Sequence, residues 1–318
     1  MQPFEYRKPA TLAAAAALAA PGSRFIAGGT ELLNWMKDGI EAPSVLIDLA
    51  GLDLSGVRRD GEILRIGATT TLATIAADPT IVAEAPALAE AIEAAASPQI
   101  RAMGTIGGNL LQQTRCPYFR LPAPLGVGCE LRDPGSGCAA RGGDHRNGAV
   151  LGDTSTCLAT SPSDPAVALA ALDPTLVVAG PAGIRSLSVA DLYRAPPGRT
   201  TIGLGELILE VVVPIGPAAR SSRFLKVRDR ASFDFALLSA AAATDGDRVR
   251  LALGGLAWGP WRCAVAEGEL AGRTVDPAAV RAAMAAELAS ARPLERNRFK
   301  LELAVGLAVR LLCPGGDR

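Results

Sequence analysis

The chain has 318 residues, enough to bury a sizeable core and to form two or three domains. Its 32 Lys plus Arg balance 32 Asp plus Glu, which excludes the net basic field that holds nucleic-acid backbones or anionic membranes and leaves a small molecule or a protein as partner. An apolar fraction of 49% argues against disorder, and with aromatics at 4% the interior must close around small residues.

Residues 1–20 have no apolar h-region before the Ala run, and that run is too short for a bilayer, so neither an export signal nor a transmembrane segment is expected. A helical stretch over 12–19 is stopped at Gly22. Arg24-Phe25-Ile26-Ala27 reads as a short strand entering Gly28-Gly29-Thr30, with a helix over 31–37 and a second buried strand over 45–49. Together these predict a small α/β layer. The alternation of 62–68 predicts a half-buried strand, and residues 71–75 and 80–96 predict helices ending near Ser97-Pro98.

From about Arg115 to Thr160 neither a 3.6- nor a 2-residue period survives, in a stretch rich in Gly, Pro, Arg and Asp. A plain loop of that length is uncommon inside a compact domain, so something other than secondary structure should hold it. Regular patterns resume with a helix over 165–172 and strands over 175–179 and 207–213. Pro214-Ile215-Gly216-Pro217 is the clearest boundary. Beyond it, residues 223–227, a helix across 236–243, a strand over 249–255 and two C-terminal helices predict an α+β unit. There is no internal repeat.

Two adjacent glycines between a strand and a helix let backbone N–H groups converge beside a helix N-terminus, which suits a diphosphate; a plain tight turn accounts for Gly28-Gly29 equally well. The spacing is not the common dinucleotide fingerprint, so no Rossmann domain is predicted. Gly104-Thr105-Ile106-Gly107-Gly108-Asn109 offers similar chemistry on a second unit. Two such nests fit one large dinucleotide cofactor in a crevice, and the Asn109 amide could serve a ring or ribityl group or merely close a turn.

Cys116, Cys129, Cys138 and Cys157 fall inside the aperiodic stretch, whereas Cys263 and Cys313 lie in ordinary domain sequence. Four thiolates there suit zinc or a 4Fe–4S cluster; free or disulfide-paired cysteine is the plain alternative, since no compact CxxC occurs. His145, the only histidine, reads as an exposed loop residue, so histidine-based acid/base catalysis is thinly supported. Asp164 reads as a helix cap, and Lys226 as a solvated strand-end charge or a group at the edge of a bound ring.

In order, Phe4-x-Tyr6-x-x-Pro9, Ala27-Gly28-Gly29-Thr30-Glu31-Leu32, Gly104-Thr105-Ile106-Gly107-Gly108-Asn109, Ser161-Pro162-Ser163-Asp164 and Lys226-Val227-Arg228 resemble the FAD-binding medium subunit of the xanthine dehydrogenase, aldehyde oxidoreductase and carbon monoxide dehydrogenase family. The resemblance covers nearly the whole chain and implies a mixed α/β (α+β) fold. A two-lobed FAD-binding domain, residues 1–55 and 56–217, would precede a C-terminal α+β domain at 218–318. By the same resemblance the first loop, with Phe25 and Ile26 leading into it, wraps the FAD pyrophosphate. The second loop approaches the ribityl and adenosine portions, Ser161 and Asp164 hold a polar part, and Ile208 and Lys226 lie beside the flavin ring.

The insertion at about 115–160, with Arg115-Cys116-Pro117-Tyr118-Phe119-Arg120 at its start, resembles the periplasmic aldehyde oxidoreductase branch, which implies that Cys116, Cys129, Cys138 and Cys157 hold a 4Fe–4S cluster. A related insertion occurs in the 4-hydroxybenzoyl-CoA reductase branch, so an aromatic acyl-CoA reductase subunit remains the alternative, with a non-enzymatic zinc-stapled subunit as another. The resemblance further implies a large molybdenum-cofactor subunit that turns over the organic substrate, a small subunit with two 2Fe–2S clusters, and ferredoxin or another carrier as acceptor. No catalytic residue is expected in this chain. The compartment stays open between periplasm, by co-export with a signal-bearing partner, and cytoplasm.

Overall fold

The first fifty residues pair their strands in parallel. In the computed structural model of the chain, which describes residues 1–122, 126–246 and 248–315, β1 (Glu5–Arg7), β2 (Ser23–Ile26) and β3 (Val45–Asp48) form a three-stranded sheet in the order β1-β3-β2. Helices Leu12–Ala17 and Leu32–Lys37 supply the crossovers that parallel pairing requires. Ala15 and Ile47 are fully buried at the seam with Leu207 of the next unit.

The second sheet is antiparallel, with β4 (Val57–Asp60), β5 (Ile63–Gly67), β6 (Thr175–Gly180), β7 (Gly183–Ser188) and β8 (Leu207–Pro214) in the order β4-β5-β8-β6-β7. More than a hundred residues separate β5 from β6, so the central helices and the cysteine segment are one long excursion between two strands of one sheet. Helices Leu72–Ala77, Pro86–Ala94 and Asp164–Leu172 close its core, where Leu64, Ile66, Leu88, Ile92, Leu169 and Val211 are all fully buried. Between residues 115 and 160 the described residues form only the short helix Pro117–Arg120 and the 3-10 turn Ala139–Arg141.

The third sheet, β9 (Arg223–Val227), β10 (Leu238–Asp245), β11 (Arg248–Gly254) and β12 (Trp261–Arg262), is antiparallel in the order β12-β11-β10-β9. It corrects one expectation: the alanine run predicted as a helix over 236–243 is the strand β10, paired on both edges. Ala240 and Ala242 pack into a core shared with helices Pro277–Glu287 and Phe299–Leu312, while Ala241 packs against Val167, Ala168 and Ala171 of Asp164–Leu172. With helices covering both faces, the strand needs small side chains on both, and alanine's helix preference, a few tenths of a kcal/mol per residue, is overridden.

Candidate functional site

Gly28 and the chain at Met103-Gly104 touch: a Cβ on Gly28 would lie 1.8 Å from the Met103 carbonyl oxygen and 3.2 Å from the Gly104 nitrogen. Only a glycine lets the two loops meet. Gly29 follows in the left-handed region at φ +69°, and the chain then enters the helix Leu32–Lys37. Among the described residues, the amides of Gly28, Gly29, Thr30 and Glu31 donate to no protein acceptor. Four successive unpartnered N–H groups at a cavity wall form an anion-binding concavity.

The second glycine cluster works differently. It follows the helix Pro98–Met103 rather than a strand, and from Ile106 on it is itself the helix Ile106–Leu110. Its amides are already bonded: Ile106 N to Thr70 O at 3.0 Å, Gly107 N to Ala68 O at 2.9 Å, Gly108 N to the Thr105 hydroxyl at 3.2 Å and Asn109 N to Thr105 O at 2.8 Å. The expected nest of free amides is therefore absent. Gly107 is small because Ala68 presses on it, with its oxygen 3.0 Å from where a Cβ would stand.

The two loops open into a cleft of about 580 Å³, within the range of cofactor sites. Phe25, Ile26, Ala27, Gly28, Gly29, Thr30, Glu31 and Leu32 line one wall, Gly104, Thr105, Gly107, Gly108 and Asn109 another, and Asp164, Ile208 and Lys226 the remainder. Ser161 stands apart. It lines an adjoining polar cavity of about 200 Å³ that shares Arg115, Pro162, Asp164, Asp234 and Phe235 with the cleft. Sequence reasoning missed Trp35, Gln112, Arg115, Glu206, Phe233 and Phe235 on the cleft wall. The available signal was Phe233-x-Phe235, two exposed aromatics in a charged loop of an aromatic-poor chain.

The deepest polar group is an ion pair. Lys226 Nζ donates to Asp164 Oδ2 at 2.8 Å and to Ala94 O at 3.0 Å, and the two side chains are 4% and 5% exposed, so Lys226 is no solvated strand end. Burial pushes the Asp164 carboxyl upward, opposed by Lys226, Ser239 and Arg228. Nor is Asp164 the helix cap: the Ser163 hydroxyl caps it by accepting from Ala166 N, and donates to Asn109 Oδ1 at 2.6 Å. The carboxylate is thus free to face the cavities.

Glu31 ties the first loop to the cysteine segment. Its carboxylate accepts from Gln113 N at 3.2 Å, Arg115 Nη1 at 2.7 Å and Arg120 Nη2 at 2.5 Å. The Arg115 guanidinium stacks 4.6 Å from the Phe235 ring centre, and Arg120 lies over Trp35 and Phe119. One carboxylate therefore joins the cleft, the start of the insertion and the loop after β9.

Cys116, Cys129, Cys138 and Cys157 surround one small cavity of about 20 Å³. Cys129 and Cys138 face each other across an isolated antiparallel bridge, which closes a short local loop within the segment. Cys138 and Cys157 share a hydrogen bond that favours the thiolate at Cys138 and holds the proton on Cys157; burial raises the Cys116 thiol. Among the described residues, no three His, Cys, Asp or Glu side chains close on a single point as they stand. Glu130 also reaches the cavity, but its carboxylate accepts from Gly135 N. Cys263 and Cys313 sit elsewhere, at opposite ends of C-terminal helices.

His145 is 9% exposed, correcting its expected exposure. Nε2 accepts from Arg296 N at 3.1 Å, so Nδ1 carries the proton and donates to Gly143 O at 3.0 Å. Nearby, the 1%-exposed Lys300 donates to Gly148 O at 2.9 Å and Gly255 O at 2.7 Å, and burial pulls it down to about 7. These contacts latch the end of the insertion to the C-terminal unit.

A family model described as the FAD binding domain in molybdopterin dehydrogenase matches residues 2–216, and one described as the CO dehydrogenase flavoprotein C-terminal domain matches 223–313. The chain is 43% identical over 314 residues, 96% of its length and 95% of the relative's, to the aldehyde oxidoreductase FAD-binding subunit PaoB of Escherichia coli (strain K12). It is 27% identical over 255 residues, 78% of its length and 70% of the relative's, to the nicotinate dehydrogenase FAD-subunit of Eubacterium barkeri. Among solved structures, a carbon monoxide dehydrogenase from Hydrogenophaga pseudoflava aligns with TM-score 0.75 and 26% identity, covering 97% of this chain and 96% of that one.

Proposed function

The chain belongs to the FAD-binding subunits of the molybdenum hydroxylase family, which includes aldehyde oxidoreductases and carbon monoxide dehydrogenases, and from that membership we infer that FAD lies in the cleft where the two glycine loops meet. The observation that carries the assignment is the run of unpartnered amides from Gly28 to Glu31 at the wall of that cleft. These amides bind the pyrophosphate. Phe25, Ile26 and Ala27 lead the chain into that contact and Leu32 continues it, while Gly104, Thr105, Gly107, Gly108 and Asn109 form the wall for the ribityl and adenosine portions. Asp164 orients a polar part of the cofactor, and Ile208 and Lys226 flank the ring. Ser161 acts from the neighbouring cavity. When bound, FAD supplies the means to take electrons in pairs or singly and release them singly.

Cys116, Cys129, Cys138 and Cys157 hold a 4Fe–4S cluster in this reading. Its support is donor chemistry: four soft thiols around one cavity in a segment with little secondary structure to order it. Thr114, Cys116, Ala140 and Leu158 line both this cavity and the polar one beside the cleft, which makes the two candidate cofactor sites near neighbours. The reading keeps domain limits at 1–55, 56–217 and 218–318, a division supported by the strands falling into three separate sheets.

The organic substrate, an aldehyde, is oxidised in a large molybdenum-cofactor subunit; a small subunit with two 2Fe–2S clusters delivers the electrons, and a ferredoxin or another one-electron carrier removes them. The name of the Escherichia coli relative supports the aldehyde assignment. Purification with a high-salt wash, mass measurement and absorbance test the reading together. A three-subunit complex with flavin bands and a broad iron–sulfur shoulder is expected. A colourless, zinc-loaded protein alone in solution contradicts it.

A further inference from the structure

A one-electron iron–sulfur donor delivers no proton, whereas two-electron reduction of a flavin fixes two protons drawn from water. The polar cavity beside the cleft has the form of an inlet for them. At its mouth the side chains of Asp144 and Asp229 are 53% and 52% exposed. At its floor Ser163, Ser239 and Asp164 are 2%, 1% and 4% exposed. Asp164 lines both the polar cavity and the cleft, and its partner Lys226 lines the cleft alone.

Besides Cys116, which faces the cysteine cavity as well, the other titratable groups of the cavity are engaged elsewhere. Asp229 is held by both Arg146 Nη atoms at 2.6 and 2.7 Å, Asp144 stands 3.4 Å from Arg296, and Asp234 pairs with Arg230. Both His145 ring nitrogens are bonded, and the Arg115 guanidinium is paired with Glu31. Facing Asp164 itself are Lys226, Arg228 and the Ser239 hydroxyl, with Arg228 Nη1 turned to Ala94 O at 3.1 Å. Burial works against the charged carboxylate and outweighs these partners, so Asp164 is the group at the junction of the two cavities whose carboxyl is pushed toward holding a proton.

We propose that the polar cavity is the proton inlet of the flavin site and that Asp164, positioned by Lys226, is its relay. Water in the polar cavity protonates an Asp164 carboxylate oxygen, and Asp164, held in place by Lys226, releases that proton on its cleft side. Bound FAD would take its electrons from the iron–sulfur donor and its protons by this route, and would give up both when a one-electron carrier withdraws the electrons. The proposal rests on the assignment of FAD to the cleft.

The test uses the intact complex, anaerobic and weakly buffered, with reduced methyl viologen as a donor that carries no proton. Stopped-flow absorbance follows flavin bleaching, an indicator dye follows proton uptake, and extraction counts FAD. Asp164→Asn, with rates taken per extracted FAD, is expected to slow both signals at least tenfold. Ala236→Phe, a residue that lines the polar cavity and not the cleft, should do the same by filling the path. If Asp164→Asn loses FAD, Ala236→Phe decides. A FAD-replete Ala236→Phe or Asp164→Asn complex with wild-type bleaching and proton uptake overturns the relay while leaving the cofactor site standing. A wild-type complex without FAD overturns the cofactor site and the relay with it.

Discussion

Replacing Gly28 with alanine should open the seam on which the cleft depends. The added Cβ would meet the Met103 carbonyl oxygen at 1.8 Å and its carbon at 2.6 Å. Both are backbone atoms, so no rotamer change relieves the overlap. To reach even the shortest ordinary contact of 3.4 Å, the second loop must withdraw by about 1.6 Å. Overpacking of this kind costs about 1–3 kcal/mol, and if the distortion falls on the bound state the same energy weakens FAD about 5- to 150-fold. FAD titration of the deflavinated complex, with a thermal melt, measures both. Gly268→Ala is the control, since its helical site faces open space and should gain roughly 0.5–1 kcal/mol. A Gly28→Ala protein with unchanged FAD affinity and Tm would refute the close approach of the two loops.

Gly29→Val, at φ +69° with the Leu33 side chain 3.0 Å from its Cβ, should strain the same loop and lower FAD stoichiometry; full occupancy at unchanged affinity would remove Gly29 from the site. Glu31→Gln leaves Arg115 and Arg120 without their shared anion and should cost about 1–3 kcal/mol in chemical denaturation, discounted for the partial exposure of the pair. An effect below a few tenths of a kcal/mol would show that the carboxylate does not tie the insertion down. Lys300 is pulled from its ordinary 10.5 to about 7 by burial, so between those values the unfolded chain binds a proton the native chain lacks. Its contribution to stability therefore rises with pH through that window, by at most about 1.4 kcal/mol per unit. Lys300→Met should flatten the rise in urea midpoint between neutral and mildly alkaline pH, and parallel curves for the two proteins would contradict the shift.

The strand into Gly28-Gly29, the aperiodic stretch around the four cysteines and the ordered family motifs were legible because each rests on local chemistry. What escaped the sequence depends on neighbours far along the chain. Ala240 to Ala243 look helical until helices on both faces of β10 make small side chains a requirement. His145 looks exposed until Arg296 N, more than a hundred residues away, bonds its ring. The second glycine cluster looked like a diphosphate nest, but Ala68 and Thr70 take its amides and its glycines serve close packing. Asp164 is a strong capping candidate by position, yet Ser163 does the capping and Lys226 claims the carboxylate. The Glu31–Arg115–Arg120 cluster left no local pattern to read.

Cofactor content of the purified complex bears most directly on the account. Flavin, iron, acid-labile sulfide and zinc are to be counted for wild type and for single serine variants at all six cysteines, with electron paramagnetic resonance after reduction. The account predicts one FAD per chain throughout. Changes at Cys116, Cys129, Cys138 or Cys157 should each remove the same cluster signal, with about four iron and four sulfide per complex, whereas changes at Cys263 or Cys313 should leave both in place. Zinc in place of iron, or an undiminished cluster signal in all four loop variants, would contradict it.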